Sequence, residues 1–121
     1  MKNILGFTLI ELLVIIGILV ILTMIAVPAF RSFQKESDLT NSTEEIINTL
    51  RLAQNKTLAS EKNSQWGVYF STSTTPHQYT LFKGGSYVSR NTSTDEIYNL
   101  PERIEIYEIN LANGGTEVVF D

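Results

Sequence analysis

The feature that most constrains this chain is an apolar run near its N-terminus. Counted from Phe7 to Phe30, the run holds 24 residues, which as an α-helix would extend roughly 36 Å. That length is enough to cross a hydrocarbon core of about 30 Å. Glu11 is the only charged residue in the run. The length and apolar character of the run predict a membrane-spanning helix. A charged side chain at a helix centre in lipid costs roughly 2.5–3.5 kcal/mol, so we expect the charge of Glu11 to have a partner or a function.

Residues 6–11, Gly-Phe-Thr-Leu-Ile-Glu, followed by this run, resemble the N-terminus of the type IV prepilin family, which includes the pseudopilins of type II secretion and competence systems. The resemblance implies that residues 1–6 are a short basic leader. It implies that a membrane-bound prepilin peptidase cuts between Gly6 and Phe7 and methylates the new Phe7 amine. It further implies that Glu11 pairs with the N-terminal ammonium of a neighbouring subunit during assembly, and that Pro28 kinks the helix.

The spacing of Phe7 and Glu11 gives that pairing a physical reason. In a helix the two positions are i, i+4 neighbours on one face. A positive charge on the first turn opposes the helix dipole, whereas Glu11 near that end favours it, so a second subunit can neutralise the exposed partner. Losing one member of a buried pair typically costs about 3–5 kcal/mol. We therefore expect Glu11 to recruit subunits.

Two simpler interpretations of the N-terminus compete. One is a secretory signal, with Lys2 as its basic region and Val27-Pro28-Ala29 as a loose cleavage site; the run is longer than the usual apolar core of about 7–15 residues and contains an acid. The other is a plain single-pass anchor for a soluble domain. That interpretation explains the length of the run but leaves Glu11 and the Gly6–Phe7 junction without a role.

Composition indicates a small domain of modest charge beyond the run. The 9 basic and 13 acidic residues give a formal net charge of -4, and the pI is about 4.9, so a broad nucleic-acid-binding surface is not expected. The chain has no cysteine, which excludes disulfides and thiol chemistry. The roughly 90 residues after Phe30 suffice for one core.

The orientation in the membrane is nearly balanced by charge. Lys2 lies on one side of the run, and Arg31 and Lys35 flank the other. The prepilin resemblance implies a single span in the cytoplasmic (inner) membrane with the N-terminus inside and residues 31–121, the head, outside.

A second amphipathic pattern follows the apolar run. Apolar and small residues recur at steps of three and four, and Thr43 with its neighbouring acids resembles an N-cap. The pattern predicts either one helix over residues 7–62, kinked near Pro28 and weakened around residues 37–42, or two helices in line, the second over residues 43–62. The predicted inward-facing residues are Ile46, Ile47, Leu50, Ala53, Thr57 and Leu58.

The C-terminal half changes to a two-residue period with β-branched and aromatic residues, which predicts strands between residues 65 and 120. The predicted strands are Trp66–Phe70, Gln78–Lys83, Ser86–Ser89, Arg103–Leu111 and Thr116–Phe120, with a hairpin turn at Gly84-Gly85, a bulge near Tyr107 or Glu108, a turn at residues 113–115 and a surface loop over residues 90–101. The predicted fold class is therefore α+β: a long N-terminal helix packed on a small antiparallel sheet, as in pilins. The apolar strand that precedes Asp121 would be an exposed edge unless it is paired, so we expect either a chain that continues with further strands or a naturally short member.

Residues that could carry chemistry are few. His77 is the only histidine, lies in a Thr-Pro-His turn and has no nearby metal-ligand spacing, so a turn role is expected. The acids of the C-terminal half, Glu102, Glu105, Glu108 and Glu117, are expected to form the solvated face of strands. We therefore predict no enzymatic activity, no metal and no cofactor.

Within the prepilin family, residues 50–59 followed by residues 66–70 are similar to the FimT-like and H-type minor pseudopilins. Gln54-Asn55 departs from that pattern. The resemblance implies a structural subunit of a pilus or pseudopilus, whose partners are the prepilin peptidase, other pilin subunits and the inner membrane. Three alternatives remain open: a minor or priming pseudopilin, a pilin that displays a binding head such as one for DNA uptake, and a simple membrane-anchored domain.

Overall fold

The computed structural model describes residues 6–59 and 64–121. The chain divides into two compact units, Met1–Glu36 (the first unit) and Ser37–Asp121 (the second unit). The secondary structure is one long N-terminal helix followed by a small antiparallel sheet. The α+β prediction is therefore confirmed.

A single helix, α1, extends over Leu9–Ala59 and contains Pro28. Of the two predicted alternatives, one continuous helix is correct and two helices in line is wrong. The polar stretch at residues 37–42 is helical, and hydroxyls in it and just after it donate back to carbonyls of the preceding turn. Ser42 Oγ donates to the Asp38 carbonyl at 2.7 Å, and Thr43 Oγ1 donates to the Leu39 carbonyl at 2.8 Å. Thr43 is thus inside the helix, and its prediction as an N-cap is wrong.

The start of α1 at Leu9 lies two residues after the predicted start at Phe7. Its last described residue is Ala59, and the predicted extension over residues 60–62 falls outside the described residues. The predicted kink at Pro28 stays a prediction.

In the second unit, the inward face of α1 is narrower than predicted. Ala53 is fully buried, and Ile46 and Leu50 pack against the core. Ile47 and Leu58 were expected on this face, but they are exposed, because each projects about 100° or more away from the line of buried positions. Ser42 and Thr49 occupy the inward face instead, with their hydroxyls bonded to helix carbonyls.

The sheet contains β1 (Trp66–Ser71), β2 (Gln78–Lys83), β3 (Glu96–Asn99) and β4 (Glu117–Phe120). Their order is β3-β2-β1-β4, and every neighbouring pair is antiparallel. Val68 and Leu81 are register partners on the face that packs with Ala53. β1, β2 and β4 match the predicted strands, and the turn before β4 is confirmed, with Gly114 at a φ of 69°.

Residues 86–89 form turns rather than the predicted hairpin strand. They fold over the second face of the sheet. There the Tyr87 ring stacks on the Tyr69 ring, with 3.8 Å between ring centres, and meets the Phe82 ring edge-on, with 5.7 Å between ring centres. Tyr87 is half-buried there, packed against two aromatic side chains of the sheet. The prediction of a strand at residues 86–89 is therefore wrong.

Residues 90–111 differ from the prediction in two places. β3 lies inside the region predicted as a surface loop, after a short 3₁₀ helix at Thr92–Thr94. The predicted strand Arg103–Leu111 and its bulge are wrong, because this segment is irregular. Ile104 and Ile106 still pack against the core. The alternating pattern therefore marks side chains that pack inward, although the segment does not pair as a strand.

Candidate functional site

The predicted cleavage junction lies immediately before α1. Gly6 and Phe7 are exposed and outside the helix, and the Phe7 side chain is 77% exposed. A Cβ added at Gly6 would meet nothing within 4 Å. Among the described residues nothing therefore demands glycine at this position, and both residues of the predicted junction are exposed.

Thr8 caps the helix at this junction. Its Oγ1 accepts from the Glu11 backbone N–H at 3.3 Å, and its carbonyl accepts from the Leu12 N–H at 3.1 Å. Thr-x-x-Glu is the sequence pattern of a capping box, in which the Glu side chain can also return to the N-cap N–H. The sequence reasoning assigned Glu11 to assembly alone and missed Thr8, although this four-residue pattern before an apolar run was visible.

Phe7 and Glu11 are close in sequence, but Phe7 is not part of the helix in the chain that retains residues 1–6. Glu11 lies in the first turn, where its charge is favourable to the helix dipole. The acid is therefore placed at the end of the apolar run rather than in its middle.

Among the described residues, α1 is the one helix long and apolar enough to cross a membrane. Its apolar side chains from Leu9 to Phe30 are exposed throughout the first unit. Thr23, a polar residue in this stretch, donates to the carbonyls of Leu19 and Val20 at 3.0 and 2.8 Å, so its hydroxyl is satisfied without water. Pro28 lies in the same exposed stretch.

In the second unit, charged and aromatic side chains join α1 to the sheet. Lys56 Nζ pairs with Glu96 at 3.2 Å and lies 4.3 Å from the centre of the Trp66 ring. The Tyr98 hydroxyl donates to Glu96 at 2.8 Å. The hydrogen bonds from Tyr98 and Lys56 lower the pKa of Glu96, and the bond to Glu96 raises the pKa of Tyr98. The sequence did not indicate this cluster, since its members lie up to 42 positions apart.

The histidine and the C-terminal acids that were considered for chemistry are either exposed or bonded to backbone N–H groups. His77 Nδ1 accepts from the Ile106 backbone N–H at 2.8 Å, which joins the β1–β2 connection to the irregular segment. Glu102, Glu105 and Glu108 are exposed, as expected of a solvated face. Glu117 differs, because it is partly buried and accepts from the Tyr87 N–H at 2.6 Å.

We compared the chain with known protein families, curated proteins and solved structures. No family model, no curated protein and no solved structure matches this chain.

Proposed function

We propose that this chain is a prepilin-like structural subunit of a type IV pilus or of a type II secretion-like pseudopilus. In this proposal the peptidase removes residues 1–6 and methylates Phe7, and α1 packs with the helices of other subunits. The observation that supports it best is the junction itself: an exposed Gly6–Phe7 bond, a helix capped at Thr8, and Glu11 in the first turn of a membrane-length apolar helix.

The exposed apolar surface of the first unit supports the same proposal. The side chains from Leu9 to Phe30 are unburied, and such a surface requires lipid or other apolar helices around it. A simple anchor needs the lipid only. Glu11 and the open junction distinguish the subunit proposal from the anchor.

Processing is tested by intact-mass spectrometry of the full chain, expressed in membranes with and without a prepilin peptidase. We expect the peptidase to remove residues 1–6 and to leave a terminus carrying one added methyl group. Gly6→Val is the matched variant: the chain accommodates a side chain at this position, so a loss of cleavage would report recognition by the peptidase. A protein that keeps residues 1–6, or one that begins near residue 30, would refute the proposal.

Assembly is tested by separating the charge of Glu11 from its position in the capping pattern. Glu11→Gln retains the hydrogen-bonding pattern of a capping box but removes the charge needed for pairing with an ammonium. We expect Glu11→Gln and Glu11→Ala to remain in the membrane and to enter sheared filaments much less than wild type. Glu102→Gln, an exposed acid of the second unit, is the control. Normal incorporation of Glu11→Gln would exclude the charge-pairing role.

A minor or priming pseudopilin is the second candidate, favoured by the similarity of residues 50–59 and 66–70 to minor pseudopilins. The two candidates differ in abundance. A major subunit would dominate the protein of sheared filaments, whereas a minor one would be a small fraction whose deletion reduces filament number.

A further inference from the structure

The hydroxyl of Thr8 occupies one particular backbone donor at the start of α1. Thr8 Oγ1 accepts from the Glu11 N–H at 3.3 Å, and the Thr8 carbonyl accepts the first helical bond, from the Leu12 N–H at 3.1 Å. In an α-helix each N–H bonds to the carbonyl four residues before it. The Glu11 N–H is therefore the donor that would bond to the Phe7 carbonyl if the helix began one residue earlier.

An earlier start of α1 would carry the helix into the predicted junction. One added bond would join the Glu11 N–H to the Phe7 carbonyl, and the next would join the Ile10 N–H to the Gly6 carbonyl. The Gly6 carbonyl belongs to the peptide bond that processing must break. In the structure Gly6 and Phe7 both lie outside the helix, and the Thr8 hydroxyl takes the place that the Phe7 carbonyl would otherwise have.

Hydrolysis at this junction requires an accessible Gly6 carbonyl. A water oxygen bonds to the Gly6 carbonyl carbon, the bond from that carbon to the Phe7 nitrogen breaks, and the nitrogen leaves with a proton from the water as the amine of a new N-terminus. A carbonyl held in a helical turn already accepts an N–H and points along the helix axis. A peptidase would have to unwind that turn before water could attack in the correct geometry.

The apolar surroundings of a membrane make the cap at Thr8 more important. The first N–H groups of a helix have no partner within it, and without water they need one. Thr8 provides an acceptor for the Glu11 N–H from a side chain, whereas a residue without such an acceptor would leave this donor to the Phe7 carbonyl. Phe7 itself continues the apolar run, so hydropathy does not explain why α1 begins at Leu9.

We propose that Thr8 is a positioning residue for processing: its hydroxyl fixes the start of α1 at Leu9 and keeps the Gly6–Phe7 bond in a non-helical conformation that a peptidase can bind. The inference rests on the proposed function, because it concerns the same junction. It assigns the effect to the capping hydrogen bond and not to recognition of the hydroxyl by the enzyme. Any side chain at this position that accepts from the Glu11 N–H should therefore serve.

The test is to measure kcat and KM of a purified prepilin peptidase on the full chain in micelles, with cleavage followed by intact mass. Thr8→Val keeps the shape of the side chain and removes the acceptor. We expect its KM to rise roughly fivefold, the effect of losing a typical N-cap, with kcat unchanged, because fewer chains present an open junction but each bound chain reacts as before. Thr8→Ser and Thr8→Asn keep an acceptor and should retain the wild-type KM.

Thr23→Val is the matched control for loss of a hydroxyl from the apolar run. The Thr23 hydroxyl bonds back to the carbonyls of Leu19 and Val20, away from the start of α1, so this variant should be cleaved like wild type. Carbonyl carbon chemical shifts of Gly6 and Phe7 in the uncleaved chain give a second readout that needs no enzyme. We expect these shifts to move toward helical values in Thr8→Val and to stay at wild-type values in Thr8→Ser and Thr8→Asn.

The outcomes separate this inference from the proposed function. Equal KM in wild type and Thr8→Val, or unchanged carbonyl shifts in Thr8→Val, would overturn the inference and leave the proposed function intact. A Thr8→Asn variant that is cleaved as poorly as Thr8→Val, or a Thr8→Val effect on kcat in place of KM, would show that the enzyme contacts the hydroxyl and would also overturn it. A wild-type chain that the peptidase does not cleave refutes the proposed function, and this inference with it.

Discussion

Thr8 and Glu11 act on the same helical turn in two ways. Thr8 satisfies the Glu11 N–H, which otherwise has no partner in the first turn. Glu11 places a negative charge at the positive end of the helix dipole. A substitution of Glu11 therefore changes the start of the helix as well as any contact with another subunit, and experiments on this residue need both effects controlled.

Thr8→Ala should fray the start of α1. Loss of an N-cap side chain typically costs about 1 kcal/mol, so the amide hydrogens of residues 9–12 should exchange several-fold faster in micelles. Thr8→Ser keeps the hydroxyl and should exchange like wild type. Unchanged exchange in Thr8→Ala would show that Thr8 contributes nothing to the helix start.

Gly67 is required by close packing on both sides. A Cβ at this position would lie 2.7 Å from Phe82 Cζ and 2.7 Å from the Val118 carbonyl oxygen. We expect Gly67→Ala to destabilise the second unit by roughly 1–3 kcal/mol through overpacking, measured by urea unfolding with Trp66 as the fluorescent probe. Gly115→Ala is the control, because its Cβ would have its nearest contact at an ordinary 3.6 Å. Equal midpoints for the two variants would contradict this assignment.

At the scale of elements, β3 is attached by side-chain contacts as well as by its sheet pairing. It contains four residues and is an edge strand paired with β2. The contacts of Glu96 with Lys56 and Tyr98 join this strand to α1 and to itself. The strength of this attachment should therefore depend on the charge of Glu96.

Acid should weaken the attachment of β3. The pKa of Glu96 is lowered in the folded chain from its ordinary value of 4.5, so its stabilising contribution is present above that value and is lost as the pH falls through the folded pKa. The difference in urea midpoint between wild type and Glu96→Gln should be largest near neutral pH and should shrink as the pH falls below the ordinary pKa of 4.5. The effect is small, because the group is exposed. A difference that is constant with pH would contradict it.

At the scale of the whole molecule, the two units have different requirements. The first unit exposes its apolar side chains, and the second has its own buried core of Ala53, Val68, Tyr79, Leu81 and Leu100. Substitutions in one should therefore leave the stability of the other unchanged.

Ile18→Arg should impair membrane insertion of the first unit without changing the stability of the second unit. A charge near the middle of the apolar run costs roughly 2.5–3.5 kcal/mol of insertion, so the variant should be extracted from membranes by alkaline carbonate far more than wild type. The urea midpoint reported by Trp66 should not change, since Ile18 is not part of that core. Phe33→Arg, an exposed position beyond the run, is the control for added charge. Full membrane retention of Ile18→Arg would refute the role of this run as the span.

The sequence alone determined the features that depend on neighbouring residues along the chain. The apolar run, the helical character of the segment after it, the strands at residues 66–70 and 78–83 and the turn at residues 113–115 all follow from local periodicity and turn chemistry, which need no knowledge of distant contacts. Whether the helix is continuous through residues 37–42 was left open by the sequence and is given by the structure. The Thr8–Glu11 cap was also readable from four residues. The candidate processing and assembly residues, Gly6, Phe7, Glu11 and Pro28, rest on this local pattern.

Only the tertiary structure decided which strand-like segments pair in the sheet and which pack against it without pairing. Residues 86–89 and 103–111 carry strand-like sequences, yet Tyr87 covers the sheet face and Ile104 and Ile106 fill the core without pairing, because burial of their side chains does not require a strand. Glu96–Asn99 pairs with β2 although it lies inside the region predicted as a surface loop. An open cavity beside Tyr98 combines residues from α1 and β3 more than 40 positions apart, and only the packing of helix on sheet brings their charges and rings together.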